Sequence, residues 1–371
     1  MKPMRPIFSI ALILLMPAVF AANSTNTPDG YALPQPGREF VFPRDHGSHP
    51  EFKIEWWYLT GHLHAEDGRR FGLQATFFRR ADGTAERGNI YLAHMALLDV
   101  KSGRFIHQER LNRDGWDASA AIGSLDVKCG PWSLRMDETG SIHVIGSVRA
   151  DASFELVLKP TKPLVVFGEN GVSRKGADPS AASHYLTFPR LDAHGSLTIG
   201  KEPLTVQGEL WMDHEMSSSQ LEEGQMGWDW ACLQLRDGRE VMVYRMRRKD
   251  GTTDTYSTLA WISPTGAVQQ VKANDFTLTP LGKWQSQSSG AEYPSGMALT
   301  ALDPSTGKRV RWKLRPLAQN QELTGRITGI AYWEGACRIV DEQEKEIGSA
   351  FLELTGYTGD LKRSLDRKSV V

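Results

Sequence analysis

The chain of 371 residues is long enough for two or three domains of average size and too long for one small module. Its 40% hydrophobic and 23% charged residues are typical of an ordinary folded protein, which excludes a disordered chain, a collagen-like fibre and a coiled coil. With 43 Lys and Arg against 44 Asp and Glu, the net charge of −1 gives no electrostatic argument for nucleic-acid binding. Eleven tryptophans suggest large aromatic cores or pockets.

The amino terminus has the pattern of a secretory signal peptide. Two basic residues precede an apolar run over 7–20, and the small residues Ala21 and Ala22 follow. The run is shorter than the roughly 20 residues that a spanning helix needs, and an uncleaved anchor is the alternative. We therefore predict a signal peptide over 1–21, cleavage after Ala21, a secreted or periplasmic protein, and no stable membrane insertion after cleavage.

After a leader rich in proline and glycine, the hydrophobic pattern has the period of two that is typical of β-strands. Turn dipeptides such as Asp67-Gly68 and Asp237-Gly238 separate the runs, which favours antiparallel hairpins over βαβ units. The predicted strands are Phe52–His64, Phe71–Arg79, Ile90–Val100, Arg104–Leu111, Ser141–Arg149, Phe154–Lys159, Leu204–Trp211, Gly227–Leu235, Glu240–Arg248, Thr255–Ile262, Arg309–Leu314, Gly325–Val340 and Ile347–Tyr357.

These strands predict an all-β protein, because closed or nearly closed antiparallel sheets remove exposed edges. About 340 mature residues exceed one small barrel and favour two β-domains. The polar segment 217–224 is the clearest predicted boundary, and Pro189–Gly200 is a second candidate. Helical periodicity is nearly absent, although 179–185 is long enough for a turn or two of helix.

The segment 209–216 is the densest set of side chains suited to catalysis. Strand alternation puts Asp213 and Glu215 on one face and His214 on the other, unless the strand has already ended. A carboxylate beside an imidazole at a barrel mouth suits general acid–base catalysis, because burial and mutual charge tune both pKa values. The alternative is a solvated loop in which the aspartate caps a turn.

Aromatic clusters flank these residues in the pattern. Glu55 and Trp57 share one strand face and Trp56 and Tyr58 the other, so aromatic rings point both into the core and outward. In Gly227-Trp228-Asp229-Trp230 both tryptophans share a face. They form either the wall of an aromatic pocket or the plain core of a barrel, and the sequence leaves both possibilities open.

Metal and cofactor motifs are weak or absent. His62 and His64 share a strand face as two zinc ligands would, but no third ligand stands out above His94 or Asp99. His94 lies in an apolar strand and is by default a buried core histidine. The sequence contains no G-x-S-x-G, P-loop, H-E-x-x-H or C-x-x-C motif. We predict no metal and no cofactor. The three cysteines allow one disulfide at most, and all three are equally compatible with free thiols.

Several distinctive motifs occur in order over essentially the whole mature chain: His49–Leu63, Phe71–Arg79, Ala93–Leu97, Ser183–Tyr185, Trp211–Glu215, Gly227–Trp230, Tyr332–Gly335 and Leu352–Tyr357. Together they resemble the AttH/carotenoid 1,2-hydratase (CrtC-type) family. The resemblance implies two consecutive lipocalin-like β-barrel domains, a cavity near their interface, and export.

In the hydratase branch the resemblance implies acid–base chemistry at Asp213 and His214 and at a tyrosine that matches Tyr244. Two departures weaken that assignment. The hydratases carry Asn and then Trp after the histidine, whereas this chain has Glu215 and Met216, and Arg245 follows Tyr244 where an acid is expected. These changes favour the AttH branch, whose members are described as predicted secreted hydrolases.

We therefore expect lipocalin-like domains over 38–217 and 218–371. The protein is expected to bind a small apolar ligand, isoprenoid- or lipid-like, in an aromatic pocket and to act on it by acid–base hydration or hydrolysis. The alternative is a periplasmic carrier that binds hydrophobic ligands without changing them. The predicted catalytic residues are Asp213, His214, Glu215 and Tyr244, and the predicted ligand-binding residues are Glu55, Trp57, His94, Tyr185, Trp228 and Trp230.

Overall fold

The computed structural model describes residues 25–83, 88–219, 221–325, 327 and 329–359. The predicted signal peptide and its cleavage after Ala21 lie outside the described residues. Within them the regular secondary structure is β-strand, apart from short 3-10 turns at Arg44–His46 and Ala273–Asp275. None of their helical segments has the length and apolarity that a membrane span requires.

The first thirteen strands form one antiparallel sheet. Its strand order is β4-β3-β2-β1-β13-β12-β9-β8-β7-β6-β5, and β10 and β11 also pair with β12. Its strands are β1 (Ile54–Ala65), β2 (Arg70–Ala81), β3 (Asn89–Asp99), β4 (Arg104–Arg113), β5 (Ala118–Ala120), β6 (Asp126–Cys129), β7 (Trp132–Met136), β8 (Ile142–Val148), β9 (Ala152–Pro160), β10 (Val165–Phe167), β11 (Ser173–Arg174), β12 (Ala182–Ile199) and β13 (Glu202–Ser219).

A second sheet contains most of the remaining strands. Its order is β17-β16-β15-β14-β25-β24-β22-β21-β18, with β23 paired to β24, while β19 and β20 pair only with each other. The strands are β14 (Gln225–Leu235), β15 (Glu240–Arg248), β16 (Thr258–Ile262), β17 (Val268–Lys272), β18 (Phe276–Pro280), β19 (Trp284–Gln285), β20 (Glu292–Tyr293), β21 (Met297–Leu302), β22 (Arg309–Pro316), β23 (Glu322–Thr324), β24 (Ala331–Val340) and β25 (Glu346–Leu354).

Each sheet curls around its own apolar core. In the first, β4 contacts β5 and β6 and nearly closes the barrel around side chains such as Trp57, Phe77 and Trp132. In the second, the core includes Trp261 and Trp333. Alternation along each strand supplies these inward rows, as it does in barrels generally. The prediction of an all-β fold with two lipocalin-like barrels is confirmed.

A third core lies between the two barrels. The outward face of β1 and β13 is covered by β14, β15, β24 and β25, so side chains that point away from the first barrel are buried as well. Phe351 and Trp211 belong to this interface core, in which sixteen buried hydrophobic residues among those described pack into one continuous cluster. Gly72 faces Ala336 across this contact.

Some details differ from the sequence-based expectation. The chain changes sheets between Ser219 and Gln225, but β13 extends to Ser219 and so includes the first residues of the polar segment 217–224. Residues 182–199 form the long strand β12, so Pro189–Gly200 is not a linker. The helix considered over 179–185 does not form, because a turn at 179–180 leads into that strand. A register shift between Phe188 and Leu191 accommodates the proline, because bulges tolerate a missing backbone donor.

The close approach of the barrels at Gly72 gives the first prediction. A Cβ atom at Gly72 would lie 2.5 Å from the Ala336 Cβ, so Gly72→Ala forces the sheets apart. We expect the free energy of unfolding in urea to fall by about 1–3 kcal/mol. Gly123→Ala is the control, because nothing lies within 4 Å of its added Cβ. Equal stability of the two variants would contradict the close contact.

Candidate functional site

Strands β1 and β13 carry two polar clusters on opposite faces. Their register pairs Trp57 with His214 and Tyr58 with Asp213. Paired residues lie on the same side of a sheet, and successive residues alternate between sides. His214 therefore points into the first barrel, whereas Asp213 points out toward the second. The expected acid–base pair of Asp213 and His214 is not formed, because the two neighbours have different partners on different faces.

The barrel-interior cluster is built on Glu55. Its Oε1 lies 2.9 Å from His49 Nδ1 and 2.9 Å from His214 Nε2, and Arg79 Nε donates to its Oε2 at 2.9 Å. Asp45 Oδ1 lies 2.8 Å from His49 Nε2. Burial alone would raise the pKa of Glu55, but the histidine hydrogen bonds and the Arg79 charge outweigh it and hold that pKa well below the usual range. Glu55 therefore anchors a buried network of charged and hydrogen-bonded groups, in which His214 Nδ1 is left without a partner.

His49, Glu55 and His214 are also a geometric candidate for metal binding. Their ligand atoms all lie within 4.8 Å of one another. However, His49 Nδ1 and His214 Nε2 both contact the same Glu55 oxygen, and the cation Arg79 holds the other oxygen of that carboxylate. A metal ion would have to displace both contacts beside a fixed positive charge. The geometry fits a hydrogen-bonded ion network better than a metal centre.

His214 is inaccessible from the interface between barrels. Its ring stacks on Trp57 with 4.8 Å between centroids. Burial lowers the pKa of His214, against the opposing effect of the Glu55 carboxylate. Trp57 is fully buried and its indole nitrogen donates to the His46 carbonyl at 3.1 Å. Glu55, Trp57 and His214 thus form part of the interior of the first barrel, apart from the other predicted site residues.

The second cluster, here called the interface cluster, consists of outward-facing residues of the first barrel and the strands that cover them. One cross-strand row of the first sheet runs through five adjacent strands from β3 to β12. Its members are His94, Thr76, Tyr58, Asp213 and Thr187. All five are buried, although outward-facing polar residues of a barrel normally contact water.

Asp213 is the most heavily hydrogen-bonded member of the interface cluster. The Tyr185 hydroxyl donates to its Oδ2 at 2.7 Å, and Thr187 and Trp211 donate to its Oδ1 at 2.5 and 2.6 Å. Trp230 Nε1 in turn donates to the Tyr185 oxygen at 3.0 Å. Burial raises the pKa of Asp213 to about 8, against these hydrogen bonds. Asp213 is therefore a protonated acid at neutral pH.

A row on the second sheet faces the interface cluster from the other side. It consists of Glu334, Glu353, Trp230 and Tyr244 on adjacent strands. Burial raises the pKa of Glu353 to about 7, although Trp228 donates to its Oε2 at 2.8 Å. Burial and the neighbouring Glu353 raise the pKa of Glu334 well above its usual range. Three carboxyls of raised pKa thus meet at one interface.

The other predicted residues take supporting positions. Glu215 is bound by Lys175 and Ser183, which makes it an ion-pair partner rather than an available acid. Tyr244 donates to the Arg174 carbonyl at 3.1 Å. His94 Nδ1 lies 2.6 Å from the Tyr332 hydroxyl, and burial lowers the pKa of His94 to about 3. Half-buried side chains rim the cluster, including Trp56, Phe78, Trp228 and Ile330.

Sequence reasoning did not select Tyr58, Tyr332, Glu334 or Glu353 as site residues. Tyr332 and Glu334 alternate with Trp333, which points into the second barrel. The alternation could be inferred from the sequence. The burial of the outer face could not, because it depends on how the two barrels pack. The two histidines considered as zinc ligands differ in burial. His62 is buried, and its Nε2 lies 2.9 Å from the Ala350 carbonyl oxygen, whereas His64 is exposed.

Two open cavities of about 360 and 310 Å³ lie elsewhere. The first is lined by polar residues such as His62, His64 and Asp192, and the second by residues such as Gln108 and Arg149. Neither is lined by Asp213 or by the tryptophans of the interface cluster. The expected Trp-walled pocket beside Asp213 is therefore neither of these two cavities.

Comparison with known proteins identifies the family. A family model described as AttH-like matches residues 33–357. The chain belongs to the AttH-like family. A solved structure described as an AttH protein from Nitrosomonas europaea is similar, with 33% identity, a TM-score of 0.80, and coverage of 88% of this chain and 99% of that one. A comparison with curated proteins finds no match.

Kievitone hydratase from Nectria haematococca shares the fold of this AttH-like chain. The identity is 14%, the TM-score is 0.65, and the alignment covers 91% of this chain and 96% of the hydratase. At that identity the similarity establishes the architecture of paired barrels. Function has to be argued from the side chains of the site.

The raised pKa of Asp213 predicts a specific pH dependence of stability. The native protein keeps a proton on Asp213 from about pH 4 to about pH 8, whereas the unfolded chain loses it above about 4. The free energy of unfolding therefore falls as pH rises through this window, by about 1.4 kcal/mol per pH unit from this group.

Urea unfolding of Asp213→Asn at several pH values tests this, because the variant lacks the titration. We expect its stability to fall less steeply than that of the wild type between about pH 5 and about pH 8. The exposed Asp126→Asn serves as a control and keeps the wild-type slope. Identical slopes for wild type and Asp213→Asn would mean that Asp213 is ionised in the native protein.

Proposed function

We propose that this AttH-like protein is exported, binds an apolar ligand at the interface cluster, and adds water to it by acid–base catalysis, as hydration or hydrolysis. The observation that carries the proposal is Asp213: a buried carboxylic acid, held by three donors, beside the rings of Trp230 and Tyr58. A buried acid with a pKa near the working pH is suited to proton transfer.

Hydration of an alkene illustrates what the cluster can do. Asp213 gives its proton to one alkene carbon, and the cation that forms on the other carbon lies against aromatic faces, which stabilise positive charge. Water then bonds to that carbon and returns one proton to the Asp213 carboxylate. The net change is the addition of one water molecule, and the acid is regenerated. In ester hydrolysis the same acid would protonate the departing oxygen.

The aromatic rim supports an apolar substrate. Trp56 and Trp228 are half-buried and continuous with the buried interface core, so an apolar molecule can contact rings already partly exposed. The Lys175 ammonium lies 5.2 Å from the centre of the Trp56 ring. A cation in this position is stabilised by the face of the aromatic ring. Kievitone hydratase, which shares this fold, is named as a hydratase, and that name is consistent with the addition of water.

Asp213→Asn tests the proposed chemistry. The amide oxygen keeps the bonds from Thr187 and Trp211, whereas the bond to Tyr185 reverses, because the amide nitrogen donates to the Tyr185 oxygen instead of accepting from its hydroxyl. We expect the melting temperature to stay near that of the wild type and turnover to fall by about 10²–10⁴-fold. The assay incubates the protein with a panel of isoprenoid alkenes and lipid esters and detects products by mass spectrometry.

Asp126→Asn is the matched control, since Asp126 is exposed and far along the chain from the interface cluster, and it should keep full activity. Organic extraction of the purified protein distinguishes the carrier alternative. Recovery of one unmodified apolar compound, together with no product from any member of the panel, would replace the enzyme by a carrier. Undiminished turnover in Asp213→Asn would remove Asp213 from the chemistry.

A further inference from the structure

Unsatisfied polar groups concentrate in one part of the interface cluster. Twelve side-chain polar atoms of the described residues are buried without a hydrogen-bond partner, and six of them belong to outward residues of β1, β2 and β3 or to β24. Such atoms normally find partners, because leaving one unpaired costs about 1–3 kcal/mol. The six are Tyr58 Oη, Thr60 Oγ1, Gln74 Oε1, His94 Nε2 and both carboxyl oxygens of Glu334.

These residues face one another across the two barrels. Tyr58, Thr60 and Gln74 share the outward face of β1 and β2, where Thr60 pairs directly with Gln74. Glu334 follows Tyr332 on the facing side of β24, and Tyr332 contacts His94 on β3. The approach of Gly72 to Ala336 fixes the same two strands face to face, two residues from Gln74 and Glu334. We call this region the polar chamber.

Tyr58 and Glu334 are the donors of the polar chamber. Burial and the nearby carboxylates raise the pKa of Tyr58 well above 10, so its hydroxyl keeps its hydrogen. The carboxyl of Glu334 is fully buried, and its pKa is raised, so it keeps its hydrogen as well. The two groups lie close enough that a side-chain hydrogen bond between them contributes to both pKa shifts. The geometry of that contact nevertheless leaves the Tyr58 hydroxyl and both Glu334 oxygens without a well-formed partner among the described residues.

We propose that Tyr58 and Glu334 together bind an oxygen atom of the ligand, so that the substrate is an apolar molecule carrying a carbonyl or phenolic oxygen rather than a plain hydrocarbon. A tyrosine beside a protonated carboxylic acid in an apolar site is a known arrangement for holding a carbonyl or enolate oxygen. This inference takes the location of the site from the proposed function and adds the substrate class.

Anchoring that oxygen also positions the rest of the ligand. Tyr58 pairs directly with Asp213 in the sheet, and the Tyr58 ring meets Trp230 edge to face at 5.3 Å. An oxygen held by Tyr58 and Glu334 therefore brings the adjoining carbons toward Asp213 and Trp230. The apolar remainder extends toward the half-buried rim at Trp56 and Phe78.

Binding of 2-naphthol, compared with naphthalene, tests this inference without any turnover. The two probes have the same apolar body, and only 2-naphthol has the oxygen. We expect the wild type to prefer 2-naphthol by at least about tenfold in Kd, measured by fluorescence titration, since one net hydrogen bond is worth about that factor. Tyr58→Phe and Glu334→Met should each lose the preference and bind naphthalene as the wild type does.

Thermal melting separates this role from a structural one. Glu334→Met replaces an unpaired buried carboxyl by an apolar group of similar length, so we expect the variant to melt at or above the wild-type temperature while losing 2-naphthol. Tyr91→Phe, at a buried tyrosine inside the first barrel, is the control and should keep the preference. Asp213→Asn should keep it too, so loss of turnover and loss of binding are distinguishable.

Three results would overturn the inference. The first is equal affinity of the wild type for 2-naphthol and naphthalene, including no binding of either, which would leave the polar chamber to ordered water. The second is a preference that survives in both Tyr58→Phe and Glu334→Met. The third is a lower melting temperature in Glu334→Met with the preference intact, which would make Glu334 a structural residue.

Discussion

The structure depends on burying the polar outer face of one barrel beneath another. Tyr58, Thr76, His94 and Asp213 would contact water in an isolated first barrel, since they point away from its core. The second barrel covers them and adds Trp230, Glu334 and Tyr332. Removal from water raises the pKa of the carboxyls. It also means that each polar atom either forms a hydrogen bond within the protein or stays unpaired at a cost in free energy. Both outcomes occur at this interface.

The two polar clusters show how the two faces of one sheet give carboxyl groups opposite electrostatic environments. Inside the first barrel the Arg79 guanidinium and the imidazoles of His49 and His214 contact Glu55, and they hold its pKa low. On the other face Asp213 has only neutral donors, and its pKa is raised. Removing one partner from a buried ion network is costly, which suits a structural role. A carboxyl that keeps its proton without a counter-ion suits acid catalysis.

Strand alternation made much of this predictable from the sequence. The period of two indicated an all-β protein, and it placed Asp213 and His214 on opposite faces, as the structure has them. It also placed Trp57 beside Glu55 and apart from Tyr58. The strand β12 was missed because Pro189 interrupts it, and a bulge at that point depends on tertiary packing. The short strands β5–β7 were missed as well, since three to five residues carry little periodicity.

What the sequence does not reveal is which outer face becomes an interior. Glu334 and Glu353 look like solvated strand residues until the packing of the barrels is known, and His214 looks like a partner for Asp213 until the register is known. The acid and the histidine that were expected in one pocket therefore lie on opposite faces of the sheet. The grouping of the motif residues depends on which strands lie across the interface.

Infrared spectroscopy at neutral pH tests the central claim, that the space between the barrels holds carboxyl groups in their acid form. The account predicts a C=O stretch of protonated carboxylic acid in the wild type, part of which disappears in Asp213→Asn and part in Glu334→Met. A spectrum without such absorption, or one that neither substitution changes, would show that these carboxyls are ionised and would contradict the account.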